Sequence, residues 1–128
     1  MKQDPILTKK LSGHSYSVNC VNWHPFKSLI LSSSLDVHDT IKLWDPHSQQ
    51  LVQENNLHNN VSVTRSQFHP RGNTYFSIGK DHLVFEYEIR FKGFLNRFKL
   101  DHEPTALEVM HNGNIVIGDS SGTLSWFD

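Results

Sequence analysis

Three residue types that together perform acyl transfer occur twice in this sequence in the same order: His14, Ser32 and Asp36, then His58, Ser77 and Asp81. In both sets the serine stands four positions before the aspartate, and the sets are offset by 44 to 45 residues. Imidazole, hydroxyl and carboxylate in series are the parts of a nucleophilic triad, so a serine hydrolase is one reading. Neither serine sits in a Gly-x-Ser-x-Gly turn, and an active site needs its set only once. A set that recurs points to architecture instead. Trp44 completes the first: an indole N–H only donates, a carboxylate only accepts, and hydroxyl and neutral imidazole do both. A chain from Trp44 through Ser32 and His14 to Asp36 therefore leaves no buried polar atom unpaired, the condition under which a buried network stabilises.

Such a chain must be held by regularly spaced elements, and the spacing is visible. WHPFKSLILSSSLD (23–36) aligns with FHPRGNTYFSIGKD (68–81) at an offset of 45, matching an aromatic-His-Pro start, a polar turn, an apolar run and a final Asp. A degenerate third copy begins at His102. It has Ile117, Ser121 and Phe127 where the first copy has Ser32, Asp36 and Trp44. Six of the nine histidines fall at two repeat positions, His14, His58 and His102, then His24, His69 and His111. Within each copy the runs VNCVNW, LILSSS and TIKLW, then VTRSQF, TYFSI and LVFEYEI, then TALEVM, NIVIG and TLSWF are short, alternating or apolar, and separated by turn residues. They predict strands, and no helix. QQLVQENNL and GFLNRFKL add a fourth strand to the first two copies. A repeat of about 40 to 45 residues with four antiparallel strands is a propeller blade. The expected architecture is an all-β partial β-propeller of about three four-stranded antiparallel blades: 1–12 as the outer strand of a preceding blade, 13–57, 58–101, and an incomplete, degenerate blade at 102–128.

Composition narrows the function classes. At 128 residues the chain suits one unit with one core, and its net charge of −1 gives no general attraction to nucleic acid or acidic membranes. One cysteine, Cys20, excludes an internal disulfide; no signal-peptide pattern and no apolar run of about 18 residues is present. The chain is expected to act without a membrane. The histidines lack His-x-x-x-His, His-Glu-x-x-His or Cys-x-x-Cys spacing, so neither a metal nor another cofactor is expected.

Gly13-His14 and Trp44-Asp45 resemble the signature of the WD-repeat family, Gly-His near the start of each copy and Trp-Asp near its end. The resemblance implies a non-enzymatic interaction scaffold, with His14, Ser32, Asp36, Trp44, His58, Ser77 and Asp81 in structural hydrogen-bond networks. Tyr87 stands where a second Trp would be. Asp36 and Trp44 are eight positions apart against six for Asp81 and Tyr87, so the first copy has two extra residues in the turn at Val37, His38 and Asp39. That lengthened turn, the run from Cys20 to Lys27, Ile41 to Pro46, Lys80 to Leu83, and Ile89-Arg90 are similar to one branch of the family. That branch is the WD-repeat subunit of the messenger RNA 3′-end cleavage and polyadenylation complex. The likeness covers roughly residues 11–90 and implies a nuclear location. It also implies partners among the subunits of that complex, an endonuclease and a zinc-finger RNA-binding subunit among them, and pre-mRNA. A WD-repeat adaptor of another complex, such as a ubiquitin-ligase receptor or a cytoskeletal scaffold, is the alternative.

Between residues 89 and 99, Arg90, Lys92, Arg97 and Lys99 alternate with Phe91, Phe94 and Phe98 and no acid intervenes. Cations interleaved with rings suit contact with single-stranded RNA or a partner, with Phe94 among the contacts; the plainer account is an outer strand protected by its charges. Cys20 is expected to be a small buried strand residue. Trp126, one position before the expected Trp slot, either packs on a neighbouring face or marks a partner patch. Three blades leave two end faces uncovered, so the chain is expected to be a segment of a longer propeller, a reduced gene product, or one that completes itself by self-association.

Overall fold

The computed structural model describes residues 6–35, 40–58 and 61–128, which form eleven strands in three antiparallel sheets, with no helix among them. The first sheet runs β1 (Val18–Trp23), β2 (Ile30–Ser34), β3 (Ile41–Asp45), β4 (Gln50–Asn55); the second runs β5 (Val63–Phe68), β6 (Thr74–Gly79), β7 (Leu83–Glu88), β8 (Gly93–Lys99). The third has three strands, β9 (Pro104–Val109), β10 (Ile115–Asp119) and β11 (Leu124–Phe127). In every sheet the neighbours in sequence are neighbours in space, a meander whose tight turns leave no room for a crossover. Each of the three interstrand turns of the second sheet has a residue of positive φ: Gly72 at 80°, His82 at 69° and Lys92 at 55°.

The sheets stack as blades of a partial propeller, with β1 against β5 and β5 against β9. Alternation explains the cores. Leu31, Ile41 and Leu43 point from the first sheet onto Val63, Phe68, Tyr75 and Tyr87 of the second. Phe76, Ile78 and Val84 point from the other face of the second onto Val109, Ile115 and Ile117 of the third. The second sheet is covered on both sides, and all six residues of β6 are buried. Polar side chains reach across the first interface: Asn19 Nδ2 donates to the Val63 carbonyl (2.8 Å), Asn22 Oδ1 accepts from the Phe68 N–H (2.9 Å), and Asn55 Nδ2 donates to the Tyr75 hydroxyl (2.9 Å). Cys20 is half-buried rather than fully enclosed, with its Sγ 3.3 Å from the Ser66 carbonyl.

The histidines of the His-Pro dipeptides register one sheet on the next. His24 Nδ1 accepts from the N–H groups of Phe26 (3.2 Å) and Lys27 (3.0 Å), which leaves Nε2–H to donate to the Gly72 carbonyl of the second sheet at 2.7 Å. His69 repeats the position, its Nδ1 accepting from the Arg71 N–H at 3.0 Å, and its ring lies on Gly113 of the third sheet. A Cβ on Gly72 or Gly113 would come within 2.4 Å of the facing imidazole, and both glycines have positive φ, 80° and 89°. Glycine is required there twice over, by the backbone and by the neighbour.

One sequence expectation differs from the structure. Residues 6–12, expected as an outer strand, run as irregular backbone beside the β3–β4 turn, where Lys9 Nζ meets the His47 carbonyl and Gln49 Nε2 donates to the Lys10 carbonyl (3.2 Å). The third copy has three strands where the first two have four. Asp36 and the lengthened turn at 37–39 lie outside the described residues.

Candidate functional site

His14, Ser32 and Trp44 come together although 30 residues separate the first from the last. Ser32 and Trp44 lie on adjacent strands, β2 and β3, where Ile30 pairs with Trp44 and Ser32 with Lys42; the two-residue alternation points Ser32 and Trp44 to the same face. Trp44 Nε1–H donates to Ser32 Oγ at 2.8 Å, and His14 Nε2 lies 2.6 Å from the same oxygen. The indole can only donate, so the hydroxyl proton is directed to the imidazole. Trp44 and Ser32 are both 4% exposed. Gly13 lets the chain approach the indole closely: a Cβ there would lie 2.9 Å from the edge of the Trp44 ring.

The second set is assembled in the same way. His58 Nε2 is 2.8 Å from Ser77 Oγ, and its Nδ1 is 2.9 and 3.2 Å from the two oxygens of Asp81. The carboxylate accepts, so Nδ1 carries the proton and Nε2 accepts from the serine. Asp81 also accepts from the Leu83 N–H at 3.1 Å and so shapes the β6–β7 turn. These distances match those of a catalytic triad, but His58 and Ser77 are both 0% exposed, and no substrate carbonyl can reach the hydroxyl. Phe85, stacked edge-on at 4.9 Å, seals the imidazole. Tyr87 holds the strand register of Trp44, paired with Tyr75 as Trp44 is with Ile30. Its hydroxyl, however, bonds to Asn55 of the neighbouring sheet. Burial raises the pKa of Tyr75 and of Tyr87, with the Asn55 bond opposing it in both, so the pair stays protonated.

In the third copy the aspartate that alignment of the repeats misses is Asp119, two positions before Ser121. Its Oδ1 accepts from Ser121 Oγ–H (2.6 Å) and from the N–H groups of Ser121 (2.9 Å) and Thr123 (3.2 Å). The Ser121 side chain, the backbone donors and the nearby His102 hold its carboxyl below the ordinary value of 3.8. Asp followed by Ser-Ser-Gly is the local signal for such a turn.

The basic strip does not form one surface. Phe94, Arg97 and Lys99 lie along β8, the outer edge of the second sheet, with the Arg97 guanidinium 5.9 Å from the Phe94 ring centre. Arg97 also borders the groove between the second and third sheets. Arg90 and Lys92 occupy the β7–β8 turn, and Arg90 borders a different cleft, between the first and second sheets. Trp126 is 67% exposed, on the face of the third sheet turned away from the second. Among the described residues there is no cluster of metal-ligating side chains and no helix long and apolar enough to cross a membrane.

Comparison with known proteins agrees with this geometry. Residues 5–45 match the family model for the WD domain, G-beta repeat. Polyadenylation factor subunit 2 of Gibberella zeae is 39% identical over 46 residues, covering 36% of this chain and 7% of that protein. Polyadenylation factor subunit 2 of Neurospora crassa is 34% identical over 58 residues, 45% of this chain and 8% of that protein. A WD repeat-containing protein WDS homolog of Arabidopsis thaliana is 50% identical over 36 residues, 28% of this chain and 7% of that protein. The chain thus spans less than a tenth of the length of the relatives it matches. Residues 5–45 thus match one WD repeat, and they lie within a chain of three stacked antiparallel sheets.

Proposed function

We propose that the chain is a non-enzymatic scaffold of messenger RNA 3′-end cleavage and polyadenylation, acting in the nucleus by holding protein subunits, and pre-mRNA with them. The observation that carries this is the burial of the residue sets capable of nucleophilic chemistry. Ser32, His58 and Ser77 are enclosed and already hydrogen-bonded within their own sets, so they serve as fasteners between strands, together with His14, Trp44 and Asp81. What remains for function is the exterior, and a surface without a reaction centre acts by binding. The polyadenylation assignment is supported by the Cys20 to Lys27 run and by similarity to two fungal proteins named polyadenylation factor subunit 2.

A second reading, an adaptor in another assembly, is favoured by similarly short matches to WD-repeat proteins of other names, among them a WD repeat-containing protein 26 homolog of Drosophila melanogaster. Affinity capture from nuclear extract separates the two. Recovery of cleavage and polyadenylation factors is expected; reproducible recovery of an unrelated assembly without them rejects the first reading in favour of the second. The outward faces of the first and third sheets, which carry Val21 and Trp23 and then Leu124 and Trp126, are where self-association would occur.

A further inference from the structure

We infer that the cleft between the first and second sheets, at the end where the β1–β2, β5–β6 and β7–β8 turns meet, is a binding site for single-stranded RNA. Three turns contribute one cation each: Lys27, Arg71 and Arg90 border one cleft of about 560 Å³. Among the described residues none of the three has a carboxylate partner, since the ion pairs there are Lys42 with Glu54 and His58 with Asp81. The one acid bordering the cleft, Glu88, is buried, and its Oε1 accepts the Arg90 N–H at 3.1 Å, which fixes the turn. The cleft therefore carries three positive charges against one negative in a chain whose overall charge is −1. Unpaired cations gathered from separate turns repel each other, and an anionic ligand relieves that repulsion.

The identity of the anion follows from the rings. Phe26, beside Lys27, is 69% exposed at the cleft, and Phe91, beside Arg90, is 78% exposed with the guanidinium 5.7 Å from its ring centre. An exposed phenyl ring costs solubility and is of no use to a carboxylate or a lone phosphate. Bases stack on such rings, while neighbouring cations pair with the phosphates of an unpaired strand. An acidic peptide would use the cations and leave both rings in water. His24 and Gly72 form the floor between the two turns, so the sheet-to-sheet contact that sets the propeller also sets the distance between Lys27 and Arg71.

The inference stands on these residues and not on the 3′-end assignment; failed capture of cleavage factors would leave it intact. Fluorescence anisotropy of the intact chain with a labelled oligouridylate of about twelve nucleotides tests it. Binding should weaken linearly on a log–log plot against salt. The triple change Lys27→Gln, Arg71→Gln and Arg90→Gln should weaken binding at least tenfold and flatten that slope by about 0.7 for each phosphate that is no longer neutralised. Phe26→Ala should weaken binding by about fivefold or more, and Lys99→Gln, at the far end of β8, should leave it unchanged. Photocrosslinking of a 4-thiouridine oligonucleotide to the unaltered chain should label peptides containing Phe26 or Phe91, a readout that survives any folding defect in the variants. No binding, binding indifferent to the triple change, or crosslinks confined to other peptides would overturn the inference. Competition by polyglutamate as effective as by RNA, with Phe26→Ala silent, would also overturn it and assign the cleft to an acidic protein.

Discussion

Ser77 Oγ lies 2.8 Å from His58 Nε2, close enough for proton transfer to the ring, in a place that water and substrate do not reach. Ser77→Ala removes that partner and leaves the imidazole nitrogen buried and unsatisfied. The expected cost is about 1–3 kcal/mol in urea unfolding. A fluorophosphonate probe should label neither the native protein nor the variant, and labelling that disappears with Ser77→Ala or Ser32→Ala would restore the hydrolase reading. Asp119 shows the opposite situation, a carboxylate open to water and shaped by its turn. Its pKa is depressed in the fold, so the stability it contributes is present above the ordinary carboxylate value of 3.8 and is lost as pH falls through the lower folded value. A carboxyl NMR titration should place Asp119 below that value, and Ser121→Ala should move it upward, because the Ser121 hydroxyl is its main stabilising partner.

Strands and turns set the next scale. The β5–β6 turn must present a bare backbone to His24, and the β9–β10 turn must present one to His69. Gly72→Ala should therefore destabilise by about 1–3 kcal/mol, combining the penalty of positive φ with a steric clash. Gly93→Ala is the control: nothing lies within 4 Å of a Cβ there, and its φ is not in the left-handed region. Thermal melts of both variants decide the point, and equal melting temperatures would mean that the histidine contact does not register the sheets. The separation of Arg90 from Arg97 belongs to the same scale. Seven residues of β8 span about 20 Å, and Arg97 stands near the end of the strand far from the β7–β8 turn that carries Arg90.

For the whole molecule, the stacking leaves two outward faces with a tryptophan on each, Trp23 at 62% and Trp126 at 67% exposure, against 4% for Trp44. In dilute solution acrylamide should quench most of the fluorescence and leave a protected fraction that disappears in Trp44→Phe. If these faces support self-association, raising the concentration should protect a second population of indole while the mass measured by sedimentation rises above 14.8 kDa. A mass constant over about a hundredfold range of concentration would remove self-association from the proposed function.

Much of this protein is legible in one dimension because its rules are local. Alternating runs specify strands, His-Pro and Gly turns punctuate them, and the donor and acceptor types of Trp44, Ser32 and His14 admit few buried arrangements, so the repeat and its fasteners can be read from residue type and spacing. Relations between sheets cannot be read in that way. That Tyr87 keeps the indole's register yet gives its hydroxyl to Asn55, and that His24 rests on Gly72, both depend on tertiary structure. The cleft is the clearest case. Lys27, Arg71 and Arg90 are 44 and 19 residues apart in the chain, and no short sequence window contains all three. Local periodicity determined the strands; the shared hydrophobic interfaces, which fix one sheet's height and angle against the next, decided which side chains meet.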